Sequence, residues 1–93
     1  MTMNDMIDLV QKGVTHSGFS DRLKFDCGED GVLRIAGGQV ASTDGEADCT
    51  LKISLENLEK LIKGKLNPMT AVLMGKIKIS GNPAIAMKLK ELL

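Results

Sequence analysis

Ninety-three residues leave room for one hydrophobic core, so the chain reads as a single domain over residues 1–93. With 43% apolar and 26% charged residues it is neither a disordered tail nor a membrane span, since no apolar run exceeds four residues where ~20 are needed. Its net charge of zero hides a dipole: residues 1–50 carry four basic groups against nine acids, and residues 51–93 carry eight lysines against three acids. The basic half either solvates helix faces or suits an anionic surface such as lipid headgroups.

In chain order, Thr2-Met3-Asn4-Asp5 has the form of a capping box with Asp in place of Glu. Met3, Met6, Ile7, Val10 and Val14 then follow a helical stripe that Ser17-Gly18 ends, with Gly13 weakening the last turn. From Ser20 to Ile53 the period changes to two. Leu23, Phe25 and Cys27 alternate with charged residues, and Glu29-Asp30-Gly31 turns the chain into Val32 to Ala36. Gly37-Gly38 turns it into Gln39 to Thr43, and Asp44-Gly45 into Asp48 to Ile53. Three short turns between four alternating runs predict an antiparallel meander with one buried face.

Ser54 caps a helix with Leu55, Leu58, Leu61 and Ile62 on one stripe, stopped at Gly64. Asn67-Pro68 starts a short helix that Gly75 closes, and Lys76 to Ser80 alternates as a fifth strand. Asn82-Pro83 opens a last helix with Ile85, Leu89 and Leu92 on one stripe. The expected fold is α+β: a five-stranded, mainly antiparallel sheet covered on one face by about four helices.

Several function classes drop out. Trp and Tyr are absent and Phe19 and Phe25 are the sole aromatics, so bases find no stacking platform and nucleic acid is not an expected partner. Cys27 and Cys49 fall on inward-facing strand positions, His16 is the sole histidine, and four-ligand zinc spacing is missing, so neither a metal nor a cofactor is called for. Both cysteines read as reduced core residues, with a thiol-dependent enzyme as the minority alternative. No nucleophile elbow, metalloprotease helix or phosphate loop occurs, and no catalytic residue is assigned. Met1 to Val10 has no signal-peptide h-region, no transmembrane segment is present and the end Lys90-Glu91-Leu92-Leu93 is not a peroxisomal address, so a cytoplasmic protein is expected.

Apolar supply is the informative feature. The helix from Pro68 to Met74 is apolar nearly all round, with Thr70 its one polar member, so it must be buried or line something. A small filled core accounts for it by composition; a cavity between sheet and helices that takes an apolar ligand is the functional alternative.

Ala47-Asp48-Cys49-Thr50-Leu51, Gly64-Lys65-Leu66-Asn67-Pro68, Gly75-Lys76-Ile77-Lys78-Ile79-Ser80-Gly81-Asn82 and Ala86-Met87-Lys88-Leu89 resemble, in order and spacing, the sterol carrier protein 2 family of non-specific lipid transfer proteins. The resemblance covers residues 46–93 and is weaker upstream. It implies a hydrophobic tunnel for fatty acids, fatty acyl chains, sterols or other apolar lipids, and no enzymatic activity. It places the lipid-binding wall on Met69, Val72, Leu73 and Met74, on Ile77 and Ile79 of the next strand, and on Ile85, Met87 and Leu89 of the last helix. Gly64, Pro68, Gly75 and Gly81 become scaffold positions that touch no ligand. Many members carry an aromatic pair at Val72-Leu73 and a glutamine at Met74, so this chain has lost an amide that could hold a headgroup. Lys88 and Lys90, with Lys76 and Lys78 nearby, then suggest transient contact with an anionic membrane, the apolar stripe of the last helix gating the tunnel. The alternative is an accessory or interaction subunit of a lipid-metabolism enzyme, dimeric through its Met-rich helices.

Overall fold

A computed structural model describes residues 2–92, apart from the side chains of Lys90 and Glu91. Helix α1 (Met3–Ser17) begins at the capping box: the Asp5 N–H donates to Thr2 Oγ1 (3.2 Å) and the Thr2 N–H donates to Asp5 (3.0 Å), which holds the Asp5 carboxyl below its ordinary range. Its stripe buries Met6, Val10 and Val14, and Gly18, at φ 71°, ends the helix in the left-handed region that residues with a side chain rarely adopt.

Five strands follow: β1 (Leu23–Asp26), β2 (Val32–Ala36), β3 (Gln39–Ala41), β4 (Cys49–Lys52) and β5 (Lys78–Gly81), in the sheet order β3-β2-β1-β4-β5. The sheet is mainly antiparallel, but the expected meander is wrong at its third turn. β4 pairs with β1, in parallel, and not with β3. Asp44-Gly45 is therefore no hairpin; residues 42–48 cross sideways past β2 and β1. The register explains how seven residues suffice. Ala41 stands level with Arg34, Lys24 and Thr50, one residue from the level at which β4 starts, so the loop need only travel across strands spaced about 4.8 Å apart. Outward-facing side chains tether it. Lys24 Nζ binds Asp44 (2.9 Å) and the Gly45 carbonyl (3.2 Å), Arg34 Nε donates to the Glu46 carbonyl (2.8 Å), and Arg22 holds Asp48 (2.9 Å).

The inner face carries two rows read straight from the register, Ile35–Leu23–Cys49 and Leu33–Phe25–Leu51–Ile79. α1 packs on β3 and against α2 (Leu55–Ile62), α4 (Pro83–Met87) packs on β4 and β5, and α3 (Pro68–Leu73) shares an apolar cleft with Ile79 of β5. The last helix is shorter than its stripe suggested: after Met87 the chain tightens into a 3-10 helix, Lys88–Leu92, which keeps Ile85, Leu89 and Leu92 buried. That 3-10 turn rests on α1 at Gly13, where any side chain would collide with the Leu92 carbonyl. The fifth strand also starts later than expected, because the Lys76 and Ile77 N–H groups donate to the Ala71 carbonyl (2.8 and 3.3 Å) and tie those residues to α3.

The sheet's two edges are finished differently. At β3 the Gln11 side chain of α1 accepts from the Val40 N–H (2.9 Å) and donates to the Gly38 carbonyl (3.1 Å), occupying backbone groups that an edge strand leaves open. At β5 every residue is exposed.

Candidate functional site

The row Leu33–Phe25–Leu51–Ile79 loses its cover at the last member. Leu33, Phe25 and Leu51 are buried, whereas Ile79 is 39% exposed. Two short helices frame this uncovered end, each started by an asparagine cap and a first-turn proline. Asn67 Oδ1 accepts from the Met69 and Thr70 N–H groups (2.9 and 3.2 Å), and Asn82 Oδ1 from Ala84 (2.9 Å). Gly81, at φ 94°, lets β5 turn into α4; a Cβ there would lie 2.5 Å from the Asp48 carbonyl oxygen. The Asn82 N–H donates to that same oxygen (2.8 Å).

Between α3, β5 and α4 lies an apolar cleft. Pro68, Met69 and Val72 form one wall, Ile77 and Ile79 the floor with Leu51 of β4, and Ala86, Met87 and Leu89 the other wall. It encloses about 30 Å³. That is one water's share of liquid, an order of magnitude below the ~300 Å³ at which ligand pockets begin.

The structure thus brings Met69, Val72, Ile77, Ile79, Met87 and Leu89 together and leaves out three other candidates. Ile85 belongs to the core, and Leu73 and Met74 stand outside the cleft at the end of α3, 85% and 62% exposed. The expectation that α3 is buried or lines something holds on one side only. Ala71 is its sole buried residue, because a helix beside the sheet rather than over it meets the core along one line. Leu51, Pro68 and Ala86 complete the lining, beyond the residues that the resemblance implies. Pro68 is more than scaffold, since its ring starts the helix and also walls the cleft.

All the large apolar side chains exposed among the described residues fall in this neighbourhood: Met69, Val72, Leu73, Met74, Ile79 and Met87. Scattered single residues of this kind are ordinary, but a contiguous group marks a contact surface. The chain around it is rich in lysine. Residues 60–90 contain seven lysines and no acid. Lys60 and Lys63 bridge back to Glu56 (3.5 Å) and Glu59 (2.8 Å), and Lys88 binds Asp21 (2.9 Å). Lys76 and Lys78 are exposed and form no ion pair among the described residues, with Lys78 directly opposite Lys52 in the register. The Lys90 candidate lies outside the described side chains. The apolar stripe of the last helix is buried at Ile85, Leu89 and Leu92, and of the three only Leu89 reaches the cleft.

Thiol chemistry finds no support. Cys27 and Cys49 are free and buried, and burial, with Asp30 and Asp26 nearby, pushes the Cys27 thiol up to about 11, protonated at neutral pH. Burial raises Cys49 as well. Among the described residues no three His, Cys, Asp or Glu side chains gather where they could hold a metal, and no helix is long and apolar enough to cross a membrane.

A helix-covered five-stranded sheet, opened at one edge into an apolar cleft, defines an α+β class. Within that class the chain belongs to the SCP-2 sterol transfer family, whose model matches residues 4–93. It is 46% identical over 56 residues to sterol carrier protein 2 of Gallus gallus, a match covering 60% of this chain and 10% of that protein. It is 37% identical over 73 residues to hydroxysteroid dehydrogenase-like protein 2 of Bos taurus, covering 71% of this chain and 18% of the relative. The chain therefore spans a small part of the curated relatives it matches. Among solved structures, palmitated SCP2L2 from Aedes aegypti shares the fold at a TM-score of 0.70 and 22% identity, over 99% of this chain and 94% of that one.

Proposed function

We propose that residues 1–93 act as one domain that binds and transfers apolar lipids, without catalysis, in the cleft between the β4–β5 inner face and helices α3 and α4. The carrying observation is the concentration of exposed apolar side chains around that cleft. Membership of a sterol transfer family and the fold shared with a palmitated protein support the same reading. The ligand class is a fatty acid, a fatty acyl chain or a sterol-like lipid. Two buried cysteines that form no disulfide suit a reducing compartment such as the cytoplasm.

The energetics favour a carrier. Each buried CH₂ contributes ~0.8 kcal/mol, so a sixteen-carbon chain gains about 12 kcal/mol gross on leaving water. A bilayer offers the same gain, so exchange between protein and membrane is near neutral and reversible. With about 30 Å³ enclosed, the cleft admits a chain by displacing Met69, Val72 and Met87, flexible or edge-placed side chains that swing without breaking the core.

The test is to purify the protein under native conditions, extract it with organic solvent and identify the lipid by mass spectrometry. A stoichiometric apolar lipid is expected, with a fluorescent fatty acid displaced by it. An empty extract together with no fatty-acid binding overturns the proposal in favour of an accessory subunit.

A further inference from the structure

The cleft does not account for Leu73 and Met74. Neither side chain lines it, and Leu73 is the most exposed large apolar residue described. We infer that the C-terminal tip of α3 inserts Leu73 and Met74 into the surface of an anionic phospholipid bilayer, with Lys76 and Lys78 on the headgroups. This builds on the lipid-binding reading, to which it adds a loading surface.

Charge selects the occupant. The tip lies within the acid-free stretch 60–90, and Lys76 and Lys78, just beyond it in the chain, have no carboxylate partner among the described residues. A second copy meeting this patch face to face would set lysines against lysines, whereas an anionic bilayer answers both the apolar tip and the charge beside it. The last helix is the poorer candidate, because its stripe is core and Lys88 is held by Asp21.

Mechanical freedom points the same way. Ala71 is the one residue of α3 held by burial, its carbonyl takes the Lys76 and Ile77 N–H groups, and Gly64 and Gly75, at φ 75° and 74°, bracket the helix. Pro68, Met69 and Val72 of the same helix wall the cleft. Because these residues share one short helix with Leu73, drawing the tip toward a membrane would shift that wall of the cleft.

The chain contains no tryptophan, so a Leu73→Trp variant carries a single fluorophore at the tip. With vesicles containing phosphatidylserine, its emission should shift to the blue and be quenched by brominated lipid. Vesicles of phosphatidylcholine alone, or high salt, should abolish both changes. A Lys12→Trp variant on α1 should show neither. Lys76→Gln and Lys78→Gln should each weaken vesicle binding about fivefold. Leu73→Asp should weaken it at least about tenfold, while fluorescent fatty-acid binding in vesicle-free solution stays unchanged. No shift with anionic vesicles, or an equal shift with neutral ones, overturns the assignment. A shift that grows with protein concentration and needs no vesicles would put a second copy on the patch, and one produced only by an acidic protein would put a protein there; either overturns it. Loss of fatty-acid binding in Leu73→Asp would assign that residue to the cleft and also overturn it. Vesicle docking by a protein that binds no fatty acid would remove the cargo proposal and leave the docking surface standing.

Discussion

The two edges of the sheet solve one problem in opposite ways. At β3, α1 lies against the strand and Gln11 occupies the Val40 N–H and the Gly38 carbonyl, so the edge is closed by hydrogen bonds and by the Met6, Val10 and Val14 stripe beneath it. At β5, the neighbouring helix buries only Ala71 and turns Leu73 and Met74 outward. One edge is fixed by packing; the other keeps apolar side chains in water with few contacts to lose. Stability and ligand access thus sit at opposite margins of one sheet, and each can be altered with little effect on the other.

That separation can be broken from the stable side. Phe25 is fully buried in the row beneath the helices, and Phe25→Ala should cost about 3–5 kcal/mol by denaturant midpoint, lowering the whole protein rather than one edge. Gly81→Ala strikes the joint of β5. Its Cβ would press on the Asp48 carbonyl from a left-handed backbone, so about 1–3 kcal/mol should be lost, with amide exchange rising first in β5. Gln11→Ala would make the closed edge resemble the open one. It should cost about 1–2 kcal/mol and give concentration-dependent association in sedimentation runs.

A smaller effect is expected at the crossing loop. The Lys24 ammonium and the Gly45 N–H (2.9 and 2.7 Å) hold the Asp44 carboxyl below its ordinary 3.8. A depressed folded-state value means that the tether stabilises the protein fully above that ordinary value and is lost as the pH falls through the lower one. Urea midpoints of the parent and of Asp44→Asn should therefore converge as the pH is lowered below 3.8, and midpoints that stay apart would refute the linkage. The smallest effect sharpens the contrast. Leu73→Ser should change stability by no more than about 0.5 kcal/mol, although it removes a large apolar side chain.

Much of this was legible in the residues. Alternation at Leu23, Phe25, Leu33, Ile35, Cys49 and Leu51 marked the buried face, and Thr2, Ser54, Asn67 and Asn82 marked helix starts that the structure places at those caps. Strand order was not legible. Asp44-Gly45 looks like a hairpin turn, and only the distant Lys24, Arg34 and Arg22 side chains make it a crossing loop. Composition also showed that α3 is apolar without showing which sides meet protein, a matter of where the helix lies beside β5. Composition offered the cleft as an alternative to a filled core, and the resemblance of residues 46–93 named residues to line it. Leu51 and Ala86 join it through the β4–β5 register and the seating of α4, which no local pattern encodes. The pairing of Lys88 with Asp21 spans 67 positions and left no local trace.

The contact of α1 with the terminal 3-10 turn has a consequence in time. Gly13 leaves room for the Leu92 carbonyl, so a helix near the start of the chain gains its full partner only when residues 88–92 arrive. The parallel β1–β4 pairing likewise waits on distant residues. Contacts this far apart in sequence slow folding, because chain closure precedes its reward. Until residues 88–92 dock, the Gly13 side of α1 lacks one of its partners, and partly folded chains leave that surface open to association.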